Sequence, residues 1–404
     1  MKKPQPYHGL EQLAARRGWR SLDDVRRGDV YLSERTVFRD TSTGCIAWRM
    51  TSDPAVDVDD YYDIPSWNAD GSVMSFLSWR SGAKMRWLMD ANGANIRPMP
   101  TPPDGRQIET GYWSVIHRDR FYYPVVDETG THVMALNPFS GEVQEIVSVD
   151  RDLGRMMPPH PKEEHFLFGK HQDRPGQTQV FNPEITDEAS WIYVLGLDGE
   201  VQEIELERRW HRLRFTKADD LRIFFNYDNP RTQYTILPDG SERQEIPHTG
   251  GHPDWPVGGG ELTYYAEGAI WGVQPDGSER REVIRLGSGG HGGPTRDGTH
   301  FVSDTHGGKE PRFPDAIVYL RTDGSGVAHP LFRPQSSFYA HTQLWHPDHH
   351  STHPHPVASP DGTKALFNSD MIGEFSDIYI AVTRPPDPPR DLVARLDGRS
   401  VVLN

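Results

Sequence analysis

The stretch Ile236-Leu-Pro-Asp-Gly-Ser-Glu-Arg-Gln-Glu-Ile246 returns almost letter for letter as Val273-Gln-Pro-Asp-Gly-Ser-Glu-Arg-Arg-Glu-Val283. Each reads as a strand, an Asp-Gly turn and a returning strand, a turn chemistry that matches the right-handed twist of antiparallel neighbours. Near equivalents occur at Asn92-Gly93, Ser140-Gly141, Asp198-Gly199 and Asp323-Gly324. A second pattern alternates with the first: a polar-aromatic start, a turn, then an apolar strand. It appears as Ile64-Pro-Ser-Trp-Asn-Ala-Asp-Gly-Ser-Val-Met-Ser-Phe76 and as Tyr112-Trp-Ser-Val-Ile-His-Arg-Asp-Arg-Phe-Tyr-Tyr123. Looser copies begin at His160 and His211, and the series closes with copies at His252, His291 and His355. Together the two patterns make a four-stranded unit repeating every ~40–50 residues, the period of a propeller blade.

Six such units run from about residue 57 to 330. A seventh has its first pair of strands at 353–383 but no clear second hairpin after it. The missing hairpin lies at the other end of the chain, in Arg35-Thr-Val-Phe-Arg-Asp-Thr-Ser-Thr-Gly-Cys-Ile-Ala-Trp-Arg49. The expectation is an all-β, seven-bladed β-propeller over 35–383 whose last blade is closed by that N-terminal hairpin. Residues 1–34 read as an extension with short helices, one over 9–17 and one capped by Ser21. Residues 384–404 form a Pro-rich tail, either the opening strands of a small β-sandwich or a strand laid on the propeller.

Composition agrees. The 404 residues include 38 glycines and 34 prolines, a turn-rich and helix-poor mixture. The net charge of -15 argues against a nucleic-acid partner, so an acidic ligand needs a local cluster of Arg, His or metal. The single cysteine, Cys45, rules out an internal disulfide and a multi-cysteine metal site. The N-terminus lacks the apolar run of a secretory signal, and no stretch approaches ~20 apolar residues, so a cytoplasmic protein without a membrane span is expected. Oligomeric state is not legible. No Gly-rich phosphate loop or Gly-x-Ser-x-Gly elbow is present, which leaves phosphoryl transfer and serine-hydrolase chemistry without support.

The histidines carry the functional signal. His252, His291 and His355 each stand six residues before the turn position of their copy, at Gly258, Asp297 and Asp361. Equivalent positions in different blades converge on the central channel, so repeat phase alone gathers three distant imidazoles at one mouth. His353 points the same way as His355, because side chains alternate along an extended chain, and His350 is close by. For His291 the Gly289-Gly290-His-Gly-Gly-Pro setting removes bulk and leaves the ring accessible. A lone histidine is more often structural; three at one phase beside a His-Pro-His pair point to a divalent transition metal, with zinc, manganese, iron and nickel undivided by ligand type. Arg231, Arg212, Arg214 and Arg80 are candidates for carboxylate recognition. Trp345, Trp255, Tyr264, Tyr265, Tyr339 and Trp113 read either as a stacking floor for a sugar ring or as blade core.

These residues resemble the oligogalacturonate lyase family, seven-bladed propellers that cleave pectic oligouronides by β-elimination. The matching pieces are Phe38-Arg-Asp-Thr-Ser-Thr-Gly44, Gly251-His-Pro-Asp-Trp255 and Gly290-His-Gly-Gly-Pro-Thr-Arg-Asp-Gly298. Further pieces are His341-Thr-Gln-Leu-Trp345, Thr352-His-Pro-His-Pro356, Ser359-Pro-Asp-Gly362 and Asn368-Ser-Asp370. The resemblance implies a manganese-type ion on His291, His353 and His355, with His350 replacing a glutamine. It implies His252 as Brønsted base and Arg231 as a substrate arginine. His341, Trp345, Tyr227, Arg80 and His211 complete the expected substrate contacts. Two departures, Tyr227-Asp-Asn-Pro230 and Asp59-Asp60, fall where the family has histidine-containing segments, and they leave room for another uronide such as a rhamnose–glucuronate linkage. Competing readings are a non-catalytic carbohydrate-binding propeller and a metal-dependent hydrolase with Asp254 or Asp348 as base.

Overall fold

A computed structural model of the chain describes residues 31–108, 110–172, 188–217, 219–228, 231–246, 250–308, 310–337, 352–373 and 375–383, and a hairpin at 394–397 and 400–403. Its secondary structure is strand and turn, with no helix among the described residues and none long and apolar enough to cross a membrane. The short helices expected before residue 31 lie outside the described residues.

Six four-stranded antiparallel sheets follow one another along the chain, and a seventh is made from both ends of the propeller sequence. The Asp-Gly repeats explain much of this regularity. In each, the aspartate caps the turn: Asp239 Oδ1 accepts from the Ser241 amide and hydroxyl at 2.9 and 2.6 Å, and Asp276 Oδ1 does the same for Ser278 at 2.9 and 2.6 Å. Gly240 and Gly277 then take φ of +82° and +83°, which only glycine adopts cheaply. The result is a three-residue Pro-Asp-Gly loop with a left-handed glycine, at the outer hairpin of the fourth and fifth blades.

Both faces of each blade's middle strands are buried, because each sheet packs on its two neighbours. Between the seventh and first blades, for example, Leu366, Ile378 and Ile380 meet Trp67, Phe76 and Trp87. Trp255 and Phe224 meet edge to face at 5.3 Å between the fifth and fourth.

The ring closes as the sequence predicts, with one strand more than expected. The last three strands, Val357–Ala358, Lys364–Ser369 and Asp377–Val382, are joined by Ile46–Arg49, with Ala47 opposite Ala381 and Trp48 opposite Ile380. Thr36–Arg39 adds a fifth strand outside it. Arg49 locks the seam by donating from Nε and Nη2 to Asp377 Oδ2 at 2.8 and 2.6 Å. The tail contains a two-stranded hairpin, Ala394–Asp397 with Ser400–Leu403.

One blade breaks the repeat. In the first, the inner strand pairs as Asp57 with Ser78 and Val58 with Leu77, then resumes at Trp67 opposite Met74. Residues 59–65 therefore leave the ladder. Asp60 is held by Arg86 of the same blade at 2.6 Å, while Asp63 pairs with Arg212 of the fourth blade at 3.1 Å. The excursion thus bridges opposite sides of the ring across the channel.

Candidate metal and catalytic centre

The leading ends of the fifth, sixth and seventh inner strands meet over this excursion. His252 lies in Gly251–Asp254, His291 directly precedes Gly292–Pro294, and His353 and His355 precede Val357–Ala358. The His252 and His291 rings are 4.2 Å apart, His291 and His355 4.5 Å, and His291 and His353 5.3 Å. One nitrogen from each of His291, His353 and His355 falls within 4.8 Å of the others. His252 and His355 both have positive φ, +54° and +44°, and both precede a proline. Such backbone is costly for a non-glycine residue and persists where surrounding structure imposes it, often at functional sites.

A repeated device fastens these leading ends. A polar residue on the second strand of the blade bonds back to the chain that enters the first. In the sixth blade, Asp304 Oδ1 accepts the His291 amide at 2.8 Å and Asp304 Oδ2 lies 3.1 Å from His291 Nδ1. In the seventh, Asn368 Nδ2 donates to the His353 carbonyl at 3.3 Å, and in the fourth Asn226 Oδ1 accepts the Arg212 amide at 2.8 Å. The Asp304 contact places the His291 proton on Nδ1 and keeps the Nε2 lone pair for a ligand, the usual support for a metal-binding imidazole. His306 approaches the same carboxylate at 3.1 Å and stacks on His291 at 4.9 Å. Burial works to raise Asp304, but His291 and then His306 override it and hold the carboxyl well below the usual range.

His252 is positioned differently. Its Nδ1 donates to the Gly290 carbonyl at 2.7 Å, so Nε2 carries the lone pair. Burial, reinforced by His291 and Arg212, pushes its pKa down to about 2, so the ring is neutral. Tyr61 and Tyr62 close the other side. The Tyr61 ring lies 4.5 Å from His355, 5.9 Å from His291 and 6.4 Å from His252. Arg212 Nη2 donates to Tyr61 Oη at 3.0 Å, and Nη1 to Tyr62 Oη at 3.2 Å and Asp63 Oδ2 at 3.1 Å. Arg214 joins through the Asp63 carbonyl at 3.1 Å.

The structure therefore brings His252, His291, His353 and His355 together, with Arg212 and Arg214 beside them. Three imidazoles, one of them backed by a carboxylate, suit a divalent transition metal with open positions, so the residues present fit the expected ion. His341, Trp345, Tyr339, His350 and Asp348 lie outside the described residues. Arg231 starts the third strand of the fourth blade, Arg231–Ile236, and only its backbone is described. His211 heads the inner strand of that blade with an exposed side chain.

Several expectations need correction. Arg80 is 1% exposed and ion-paired to Asp57 at 2.6 Å and Glu34 at 3.0 Å, a buried internal partnership that removes it from substrate contact. Tyr227 is 2% exposed, packed on Phe225 and Tyr234, because the middle strand of a blade has no solvent face. Trp113, Trp255, Tyr264 and Tyr265 are likewise buried blade residues rather than a sugar floor. The glycines around His291 serve close approach, not access. His291 itself is buried, and a Cβ at Gly290 would run into the Asp304 carbonyl. Asp254 is buried and paired with Lys217 at 3.1 Å. It lines a cavity of about 100 Å³ that also takes in Tyr62, Arg296 and Pro360.

Sequence reasoning missed Tyr61, Tyr62, Asp304 and His306. The signal for the tyrosines was the surplus chain between Val58 and Trp67, which no other copy of the repeat has. For Asp304 it was its place in the second strand, matching Asn368 of the next blade.

No protein-family model matches the sequence, and no curated protein does either. Solved structures do. An oligogalacturonate lyase in complex with manganese aligns at a TM-score of 0.73 and 20% identity, over 88% of this chain and 98% of that one. An oligogalacturonate lyase from Vibrio parahaemolyticus aligns at 0.72 and 20% identity, over 89% and 99%. An acylaminoacyl peptidase from Pyrococcus horikoshii reaches 0.50 at 9% identity, over 81% of this chain and 51% of that one. In fold, the chain is a seven-bladed propeller of the kind those two lyases share.

Proposed function

We propose that this chain is a divalent-metal-dependent lyase, acting on short uronate-containing oligosaccharides by β-elimination and releasing 4,5-unsaturated products. The observation that carries the proposal is the convergence of His291, His353 and His355 on one point with the neutral His252 ring 4.2 Å from His291. Likeness to lyases of known structure supports it.

The chemistry asks for what these residues offer. The C5 proton of a uronate is weakly acidic, and its removal pushes charge onto the carboxylate. His291, His353 and His355 would hold the ion, for which manganese is our first choice. Bound there, it would supply Lewis-acid stabilisation of that carboxylate. Arg212 and Arg214 supply fixed positive charge at the same mouth of a protein whose net charge is -15. His252 is oriented by Gly290 with its lone pair on Nε2, ready to accept the C5 proton. Anionic substrate raises the proton affinity of that ring, opposing the burial that lowers it. The hydrolase alternative is weakened because Asp254, its candidate base among the described residues, is committed to Lys217.

A second reading, a lyase for a rhamnose–glucuronate or other non-pectic linkage, draws on the Asp59–Pro65 excursion, which narrows the cleft with two tyrosines. A panel of uronate oligosaccharides incubated with manganese and followed by ultraviolet absorbance and mass tests both. An unsaturated product establishes a lyase and its linkage, a saturated product a hydrolase, and binding without turnover a lectin-like module.

A further inference from the structure

The imidazoles of the proposed centre come from the fifth, sixth and seventh blades, and its guanidinium groups from the fourth. One blade further round the same mouth, the third adds an arginine of its own. We infer that the seam between the third and fourth blades is a second carboxylate-binding subsite, where Arg155 and Arg209, with His211 beside them, take the acid group of a further uronate in the same chain. The inference rests on the uronate reading and deepens it: the ligand is an oligomer with acid groups on more than one sugar.

Geometry puts these side chains on one seam. Arg155 opens the inner strand of the third blade, Arg155–Met156, and is exposed. It stands opposite Gly169 in the ladder, so both project from the same face of that sheet. This face packs on the fourth blade: a Cβ at Gly169 would run into Trp210 and Leu213. His171, two residues further on, stacks on Trp210 at 4.2 Å. From the other side, His211 shares the face of Leu213 by strand alternation and so turns back toward the third blade. Arg209 and His211 flank Trp210 in the chain.

Charge makes the seam a site for an anion. Nearby carboxylates are held by other cations: Asp152 by Lys170 at 2.7 Å, Glu207 by Arg243 at 3.0 Å, and Asp63 by Arg212 at 3.1 Å. Among the described residues, no carboxylate lies within ion-pair distance of Arg155 or Arg209. The ring between them brings no counter-charge either. Burial, then Arg209, Arg155 and His211, lowers the His171 pKa to about 4, so it is neutral. In a chain with 58 acidic side chains against 43 basic ones, two uncompensated arginines at a channel mouth leave positive charge for a ligand.

The seam is continuous with the proposed centre. His211 is followed by Arg212, whose Nη2 donates to Tyr61 Oη at 3.0 Å, and the Tyr61 ring lies 4.5 Å from His355. An oligouronide anchored at the imidazoles and lying over Arg212 meets Arg155 and Arg209 next. A guanidinium fork there matches the two oxygens of its next carboxylate.

The test titrates di- and trigalacturonate into the full-length, manganese-loaded chain carrying His252→Ala, which keeps the ligand from being consumed. It is repeated with Arg155→Ala added, and melting temperature is taken on each preparation. The trimer is expected to bind about tenfold more tightly than the dimer, and Arg155→Ala to reduce that advantage to about threefold or less. Arg155→Lys, which keeps the charge and loses the fork, should retain only part of it. Equal affinity for dimer and trimer before Arg155 is altered overturns the subsite. So does a trimer advantage that survives Arg155→Ala/Arg209→Ala. The lyase reading fails separately: a wild type that turns over no uronide but binds the trimer more tightly through Arg155 loses the elimination and keeps the subsite. Affinity for neither oligomer overturns both.

Discussion

At the scale of single residues, the site separates two jobs that look alike in the sequence. His291, His353 and His355 point nitrogens at a common centre, whereas His252 is turned by the Gly290 carbonyl to face the cleft. His252→Ala is therefore expected to cut turnover by about 10²–10⁴-fold while manganese stoichiometry stays at the wild-type level. Ultraviolet product formation and metal analysis of one preparation decide it, and undiminished turnover would remove the base assignment. Asp304 makes a different expectation. In Asp304→Asn an amide faces His291 Nδ1 in place of a carboxylate oxygen, and the Nε2 lone pair is no longer secured. Manganese affinity, measured by titration calorimetry, should fall by about 10–100-fold with the melting curve little changed. An unaltered affinity would mean that Asp304 supports the strand rather than the ion. The histidine phase was legible because equivalent repeat positions must converge. Asp304 and Tyr61 were not, since their roles depend on contacts between strands or across the ring that spacing does not encode. Arg80 and Tyr227 misled because a residue type suited to a sugar acid is equally suited to a buried ion pair or an aromatic core.

At the scale of elements, the blade was readable from its turns, and the irregularities were not. The expected N-terminal hairpin is present, but residues 357–382 supply three strands where the repeat led to a pair, so the last blade has five. The 59–65 excursion is an insertion whose destination is fixed by Asp63 reaching Arg212 and Arg214, 149 and 151 positions further along the chain. Closure itself rests on pairs between the two ends of the propeller sequence, among them the ion pair of Arg49 with Asp377, whose side chain is 1% exposed. Burial lifts the Asp377 carboxyl to about 8 against the pull of Arg49, so Arg49→Ala leaves it protonated and short of the two hydrogen bonds Arg49 gave it, at a cost of about 2 kcal/mol. A drop in melting temperature is expected. If Arg49→Ala melts with the wild type, the seam does not limit stability.

At the scale of the whole molecule, the ring converts sequence periodicity into a pole where imidazoles and guanidinium groups from separate blades gather, in a chain whose net charge is -15. The same enclosure makes stability depend on pH away from that pole. His171, in the second strand of the third blade, stacks on Trp210 at 4.2 Å and reaches the Trp210 carbonyl at 3.0 Å. Burial, with Arg209 adding to it, lowers its pKa from 6.5 to about 4. The unfolded chain therefore takes up a proton near pH 6.5 that the folded chain refuses until about pH 4. Stability from this group is complete above 6.5 and declines as pH falls through that window. Because the ring is only partly enclosed, the loss is on the order of 1–2 kcal/mol rather than the full value of the shift. His171→Phe keeps the stack on Trp210 and cannot titrate. Wild type should accordingly lose more stability than His171→Phe between pH 7 and pH 5, by about 1–3 °C in melting temperature. Parallel pH dependence in the two proteins would show that His171 takes its proton as readily folded as unfolded.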